Sequence, residues 1–281
     1  MLKTNTPPPR YGRKLTSLIA ATIIMAGGLI AMPAHADSLP DHIVNGTFDY
    51  QQQAISSGMS DTVNFSNLDP ADGDVEYGAR LDSSGKASQK WVHISGFDAT
   101  QFAWKSTQTD TYVDGRAHIV EIQRSKAKDN MYAEITASQA GTYIYQDVST
   151  TPGAVYTIRL RHSKRDQMAS HRETMQVMVG APGNEQAITM TRLKSDVGNP
   201  VGVSSTTIES PGTNGWDGTW DTYAGTYRVP DGQTTTRFTF KSSNSSSNVT
   251  GNLVDDIVFT VGYPLHYDLK GGSGTGPQQT D

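Results

Sequence analysis

In the segment VYTIRLRH, residues 155–162, Tyr156, Ile158 and Leu160 alternate with Thr157, Arg159 and Arg161. In an extended chain its tyrosine, isoleucine and leucine point to one side, and its two arginines point to the other. A strand of this kind has one buried face and one face in water, which is typical of antiparallel sheets. The segment therefore predicts an antiparallel strand that covers the core of an all-β domain.

Similar short runs recur along the chain, with turns rich in Gly, Ser, Thr, Asp and Asn between them. No segment shows the spacing of a long amphipathic helix. Strands at intervals of about 10–15 residues are typical of a β-sandwich or jelly roll. The predicted strands are His118–Ile122, Gly141–Val148, Val155–His162, Met175–Val179, Ala187–Arg192, Gly225–Val229, Thr235–Phe240 and Asp256–Val261.

Two long segments, residues 52–90 and 194–222, are polar and are predicted to be loops, with two short strands as an alternative within the first. Loops of this length in a domain are usually functional or disordered. The glycine-rich stretch at 271–277 predicts a flexible linker. We therefore expect one β-sandwich domain over residues 37–264 and a flexible tail over 265–281, which would continue into a longer surface protein.

Residues 1–36 have the pattern of a secretory signal. A cationic segment without acidic residues precedes an apolar run, and Ala34-His35-Ala36 matches the small-x-small cleavage rule. The alternative is an uncleaved membrane anchor, since the run is about 18 residues long. In both cases we expect the rest of the chain to be secreted or displayed at the cell surface.

Charge and cysteine content further restrict the classes of partner and of site chemistry that are expected. The chain has 23 basic and 28 acidic residues, and removal of four basic residues with the signal leaves a net charge of −9. Such a surface disfavours nucleic acid and anionic lipid, so neither nucleic acid nor, after signal cleavage, a membrane is an expected partner. The absence of cysteine excludes disulfides, thiol catalysis and thiolate metal sites.

The two ends of the exported region carry matching signals, NGTFD at 45–49 and GNLVDDIVF at 251–259. Each places acidic side chains and turn residues beside a short β-type run. If the two runs lie side by side, acidic oxygens from both chain ends meet, as a hard cation such as Ca²⁺ requires. The pattern predicts a sandwich whose ends are held together and whose loops are free to bind.

A set of short motifs along the chain also resembles the motifs of a known group of domains. It includes AEI at 133–135, GTYIYQDV at 141–148, TPG at 151–153, GTY at 225–227 and the closing GNLVDDI at 251–257. Together with NGTFD, they resemble the galactose-binding-like β-sandwich domains of Gram-positive bacterial surface proteins. They are also similar in outline to carbohydrate-binding modules of families 4, 6 and 9. The resemblance spans about residues 43–261 and implies the fold more specifically than the ligand.

The resemblance implies a structural Ca²⁺ ion near the first and last strands. Asp49 matches the acidic ligand of the first motif, where the family usually has Glu, and Asp255 or Asp256 matches the closing pair. Since Ca²⁺ takes six to eight oxygen ligands, backbone carbonyls would complete the shell. The alternative is that these aspartates only end strands and cap turns.

Aromatic side chains in a polar loop are candidates for sugar contact, because sugars present flat C–H faces to aromatic rings. Trp216, Trp220 and Tyr223 occur together in such a loop. The alternative is that they close one end of the sandwich, since tryptophan is usually largely buried. Trp104 precedes a strand and is predicted to lie in the core.

A cationic segment, RHSKRD at 161–166, supplies the polar candidates. By resemblance, His162 and Arg165 are predicted ligand-binding residues. Together with Glu121 or Glu134 on a neighbouring strand, they would form a polar pocket on the concave face. The alternative is a salt-bridged loop without a ligand.

No motif points to catalysis. Neither the Gly-x-Ser-x-Gly elbow nor His-Glu-x-x-His occurs, and isolated carboxylates do not identify a hydrolase. We therefore expect an exported, non-catalytic module that binds a glycan or a host surface component. The alternatives are a structural stalk or pilin-type domain without a ligand, and a fragment of a glycoside hydrolase.

Overall fold

The computed structural model describes residues 40–51, 62–67, 77–81, 87–94, 96–111, 115–136, 139–165, 172–245 and 251–262. All of them belong to one compact unit, Ser38–Asp281. The predicted signal over residues 1–36 and the predicted tail over 265–281 lie outside the described residues.

The described residues include sixteen strands and a short helix. The helix α1 (Ala99–Phe102) has Asp98 as its N-cap, whose side chain accepts a hydrogen bond from the Thr100 amide. The described residues contain no helix that is long and apolar enough to cross a membrane. The strands are β1 (Thr62–Asn67), β2 (Tyr77–Leu81), β3 (Ala87–His93), β4 (Lys105–Ser106), β5 (Ile119–Arg124), β6 (Met131–Glu134), β7 (Tyr143–Ser149), β8 (Val155–Lys164), β9 (Thr174–Gly180), β10 (Gln186–Ala187), β11 (Met190–Ser195), β12 (Ser204–Ser205), β13 (Ile208–Glu209), β14 (Asp221–Arg228), β15 (Thr235–Asn244) and β16 (Asn252–Val261).

Two antiparallel sheets make up the fold of the described residues. The larger sheet has ten strands in the order β12-β11-β14-β8-β16-β6-β5-β1-β2-β3. The smaller sheet has six strands. Five of them follow the order β10-β9-β15-β7-β4, and the sixth, β13, pairs with β9. The predicted all-β antiparallel sandwich is therefore confirmed.

The core lies between the sheets and follows the alternation seen in the sequence. In β8, Tyr156, Ile158 and Leu160 are buried in the main apolar cluster, whereas Arg159 is exposed. In β15, Phe238 belongs to the same cluster. We call the side of the ten-stranded sheet that faces away from this core its outer face.

The first motif lies against the last strand, as predicted. The amide of Ile257 donates a hydrogen bond of 3.0 Å to the carbonyl of Gly46. A Cβ atom on residue 46 would lie 2.1 Å from the Ile257 carbonyl oxygen, so only glycine permits this approach. Phe48 is fully buried, and its ring centroid lies 5.1 Å from that of Trp104, which confirms the core position of Trp104.

The local structure of the first motif differs from the predicted strand. Asn45 and Phe48 both have positive φ angles, and the Phe48 amide donates to the Asn45 carbonyl. The Asn45 side chain also accepts a hydrogen bond from the Tyr50 amide. The motif is therefore a turn, because asparagine stabilises turns through its own side chain.

Seven of the eight predicted strands are present as single strands, with ends shifted by a few residues. The eighth, Ala187–Arg192, is divided between β10 in the smaller sheet and β11 in the larger one. The predicted loop at 52–90 instead contains β1, β2 and β3, which extend the larger sheet. The segment 194–222 contains only the two-residue strands β12 and β13 between the end of β11 and the start of β14.

Candidate functional site

Five side chains from five adjacent strands form one row on the outer face of the ten-stranded sheet. In register, Trp91 lies opposite Arg80, Asn64 opposite Glu121, and Glu121 opposite Glu134. The pairing of β1 with β2 places Asn64 one step from the Phe65–Ala79 pair, next to Arg80. We call Trp91, Arg80, Asn64, Glu121 and Glu134 the polar row.

The polar row faces outward because side chains alternate along a strand. The residues that flank each member of the row on strands β1, β2, β5 and β6 are apolar and belong to the main core. They are Val63, Phe65, Ala79, Leu81, Val120, Ile122 and Ala133. The core thus fixes which side chains reach the outer face.

Two further side chains, those of Gln123 and Arg165, contact the two glutamates of the polar row. Gln123 donates a hydrogen bond of 2.7 Å from Nε2 to Glu121 Oε1, and its Nε2 also donates to Glu134 Oε2. Arg165 Nη1 lies 2.8 Å from Glu134 Oε2 and 3.4 Å from Glu121 Oε1. The side chain of Glu134 is fully buried, whereas that of Arg165 is 37% exposed. The Arg165 side chain therefore extends from the buried carboxylates to solvent.

Burial governs the protonation of the two carboxylates. Desolvation raises the pKa of Glu121, while the hydrogen bond from Gln123 and the charge of Arg165 oppose it. Desolvation, followed by repulsion from the Glu121 carboxylate, raises the pKa of Glu134 well above its ordinary value. Two carboxylates in one buried site favour the retention of a proton between them.

Two acceptors of the row lack partners. Within the described part of the chain, Asn64 Oδ1 and Glu134 Oε1 are buried and accept no hydrogen bond. A buried polar atom left unsatisfied costs about 1–3 kcal/mol. The row therefore favours a ligand that presents hydrogen-bond donors.

An aromatic ring lies at the end of the row. Trp91 is half-buried, and the guanidinium carbon of Arg116 lies 5.4 Å from its ring centroid. The Trp91 indole nitrogen is buried without a partner among the described residues. A ring and a free N–H donor at one place suit a ligand with both an apolar surface and hydroxyl groups.

A groove of about 450 Å³ opens elsewhere on the same face, across strands β8, β14 and β11. Its most apolar contributor is Leu193, which is 43% exposed. Hydroxyl groups dominate the rest of its lining, which consists of Thr157, Thr189, Thr191, Ala224, Gly225 and Thr226. The groove offers hydrogen-bonding groups and a small apolar surface to solvent.

The structure brings together two of the predicted polar residues and separates the third. Glu121 and Arg165 meet in the polar site, as expected. His162 instead points into the core, where Nε2 lies 2.8 Å from Asn252 Oδ1 and Nδ1 lies 2.8 Å from Ser210 Oγ. Its burial lowers the pKa of His162 to about 4. The residue does not line the outer face.

The predicted aromatic trio does not form a common platform. Trp220 is buried and packs edge-on against Tyr132, with ring centroids 5.2 Å apart. Tyr223 lies in the main core and donates a hydrogen bond to the carbonyl of Glu209. Trp216 is half-buried, so it alone of the three retains an accessible ring for the predicted sugar contact.

The residues that the resemblance assigns to calcium do not fit an ion in this arrangement. Asp255 and Asp256 both form ion pairs with Arg161, at 2.5 Å and 2.9 Å. Asp49 is exposed. In the described ranges, no group of three or more Asp, Glu, His or Cys side chains lies close enough to hold a metal. Calcium binding by this chain stays a prediction.

Sequence reasoning missed most of the polar row. Arg80 and Asn64 fall in the segment predicted to be a loop, Trp91 follows that segment directly, and neither Trp91 nor Gln123 was predicted to bind a ligand. A signal was present in Thr62–Asn67, where Val63 and Phe65 alternate with polar residues. That alternation indicates a strand with one polar face, but it does not indicate the neighbouring strands.

No protein family and no curated protein matches the chain. Similar solved structures include a CBM4 module, with 13% identity, 56% of this chain and 78% of the other covered, and a TM-score of 0.32. A CBM61 module in complex with β-1,4-galactotriose has 12% identity, coverage of 57% and 88%, and a TM-score of 0.33.

A third similar structure contains the CBM22-1 and GH10 modules of Clostridium thermocellum xylanase 10B with xylohexaose. Its identity is 15%, the match covers 59% of this chain and 27% of that chain, and the TM-score is 0.33. Carbohydrate-binding modules thus occur among the similar structures.

Proposed function

We propose that this chain is an exported, non-catalytic module that binds a glycan on the outer face of its ten-stranded sheet. The observation that carries the proposal is the pair of buried acceptors without partners, Asn64 Oδ1 and Glu134 Oε1. Sugar hydroxyls would donate hydrogen bonds to these atoms and remove the cost of leaving them unsatisfied.

The charges at the site favour a neutral ligand. Glu121 and Glu134 carry the acidic groups, while Arg165 and Arg80 act on Glu121 as compensating cations. A charge brought by a ligand would lose its hydration beside these buried groups. A neutral, hydroxyl-rich ligand avoids that cost, and the Trp91 ring would contact its C–H surface.

The position of the carboxylates supports binding rather than hydrolysis. Retaining glycosidases hold two carboxyl groups about 5–5.5 Å apart with the scissile bond between them. Here Gln123 and Arg165 both contact Glu121 and Glu134. A substrate that reached the two carboxyl groups would have to replace these contacts.

The groove across β8, β14 and β11 would extend the contact along the face. Threonine hydroxyls and Leu193 suit the hydroxyl and C–H groups of further sugar units. Single contacts of this kind are weak, so display of several copies would raise the overall affinity.

A structural stalk without a ligand is the second candidate. It is favoured by the ion pairs that Arg165 already makes with Glu121 and Glu134. The two functions differ in one measurable property, because a stalk binds no glycan.

A glycan array followed by calorimetry tests the proposal. We expect Trp91→Ala to weaken binding of the best neutral glycan about tenfold, or about 1.4 kcal/mol, because the ring contact is lost. Tyr143→Ala is the matched control, since Tyr143 lies on the six-stranded sheet with Lys241 Nζ 5.5 Å from its ring centroid.

The outcomes separate the candidates. If the folded protein bound no glycan on the array, the structural stalk would be favoured. If Trp91→Ala and Tyr143→Ala lost the same amount of glycan affinity, the binding site would not be at the polar row. Cleavage of labelled oligosaccharides that is abolished by Glu134→Gln would identify a hydrolase instead.

A further inference from the structure

We propose that the guanidinium of Arg161 is the permanent cation of the Asp255–Asp256 pair, in the place where the sequence resemblance implies a calcium ion. The chain would then close its last strand without a metal. This inference concerns the stability of the fold and is independent of glycan binding.

The register of the sheet places the cation beside the acids. Arg161 on β8 lies directly opposite Asp255 on β16, in the middle of the ten-stranded sheet. Arg161 Nη2 lies 2.5 Å from Asp255 Oδ2, and Arg161 Nε lies 2.9 Å from Asp256 Oδ2. One guanidinium therefore lies within ion-pair distance of both carboxylates. Nη2 donates a hydrogen bond to Asp255, whereas Nε pairs with Asp256 without hydrogen-bond geometry.

A β-bulge makes this double contact possible. Successive side chains of a regular strand point to opposite faces, so two adjacent aspartates would not reach the same partner. The pairing of β16 with β8 shifts register between Asp255 and Val258, and Asp256 has a φ angle of 48°. The bulge turns the Asp256 carboxylate toward the face that holds Arg161.

The oxygens of Asp255 are already used by other donors. Its Oδ2 accepts hydrogen bonds from Arg161 and from Asn130 Nδ2, the latter at 2.9 Å. Its Oδ1 accepts a hydrogen bond of 2.7 Å from the Asp256 amide. A calcium ion needs six to eight oxygen ligands and would have to displace these donors.

The guanidinium is also held from a second side. Its central carbon lies 5.3 Å from the ring centroid of Trp220. That ring is buried against Tyr132 and Leu253 on the outer face. A planar, delocalised cation suits an aromatic face and two carboxylates at once, which a hard metal ion does not.

The test compares melting temperatures of the chain and of two arginine variants, each with excess calcium and with a chelator. We expect the unmodified chain to melt at the same temperature in both conditions. Arg161→Met should lower the melting temperature by about 10 °C, because an acidic pair with a buried member loses its cation. Arg159→Met is the matched control, since Arg159 is exposed on the same face of the same strand.

Two results would overturn the proposal: a melting temperature of the unmodified chain that rises with calcium or falls with chelator, or equal effects of Arg161→Met and Arg159→Met. If Arg161→Met does not fold, the triple variant Arg161→Met/Asp255→Asn/Asp256→Asn replaces it. Folding of the triple variant supports the proposal, because the uncompensated charges are gone. Failure of the triple variant to fold contradicts it.

Discussion

At the scale of single residues, His162 shows how strand alternation decides a role. It follows Tyr156, Ile158 and Leu160 at the same two-residue spacing, so it shares their buried side. Arg165, at an odd-numbered position, instead contacts Glu134 of the polar row. A shift of one position along the strand therefore decides whether a polar side chain faces the core or the outer face.

The buried imidazole predicts a pH dependence of stability. Burial lowers the pKa of His162 to about 4 in the folded chain, from its ordinary value of 6.5. The unfolded chain therefore binds more protons between these values, and stability is full above pH 6.5 and falls as the pH drops toward 4. The expected contribution to this loss is about 3 kcal/mol.

Urea unfolding at pH 7 and at pH 4 measures this effect in the unmodified chain and in His162→Gln. The variant should lose less stability on acidification, because glutamine takes up no proton. His93→Gln, at an exposed position, is the control. Equal pH dependence of the unmodified chain and His162→Gln would contradict the assignment.

At the scale of elements, strands rich in apolar residues were predictable, whereas four of the five strands of the polar row, all but β5, were not. The eight predicted strands carry enough Val, Ile, Tyr and Phe to stand out. Strand β1 offers only Val63 and Phe65 to the core, and Asn64 between them belongs to the polar row. Polar residues at the candidate site thus diluted the signal of the strands that carry it.

The contact between the chain ends gives a prediction at the same scale. Gly46→Ala would place a methyl group 2.1 Å from the Ile257 carbonyl oxygen, so the first turn must move away from β16. We expect a loss of about 2 kcal/mol or more in the free energy of unfolding. Gly262→Ala is the control, because its Cβ would meet no atom closer than 3.4 Å.

Chemical denaturation of both glycine variants provides the measurement. If Gly46→Ala were as stable as Gly262→Ala, the close approach of the first turn to β16 would not contribute to the stability of the fold.

At the scale of the whole molecule, the sequence was sufficient for the fold class and insufficient for the site. Alternation and turn spacing predicted an antiparallel sandwich, and the end motifs predicted that the first turn meets the last strand. The polar row joins residues as distant as Asn64 and Glu134, and only the pairing of β1 with β5 and of β5 with β6 places them together. Strand register of this kind cannot be derived from local patterns.

Charge compensation is likewise a property of the assembled sheet. The sequence showed Asp255 and Asp256 but not the cation that faces them, because Arg161 comes from a strand about 90 residues earlier in the chain. The same holds for Arg165, which serves two glutamates on different strands. Isolated acidic motifs therefore indicated a metal where the fold supplies an arginine.

An NMR titration of the ¹⁵N-labelled chain with the best neutral glycan from the array tests the central claim most directly. We predict the largest shifts at the Trp91 indole and at the backbone around Asn64, Glu121 and Glu134, with strands β7, β9 and β15 unchanged. Shifts concentrated on the six-stranded sheet, or no shift with any glycan, would contradict the assignment of the outer face as a binding surface.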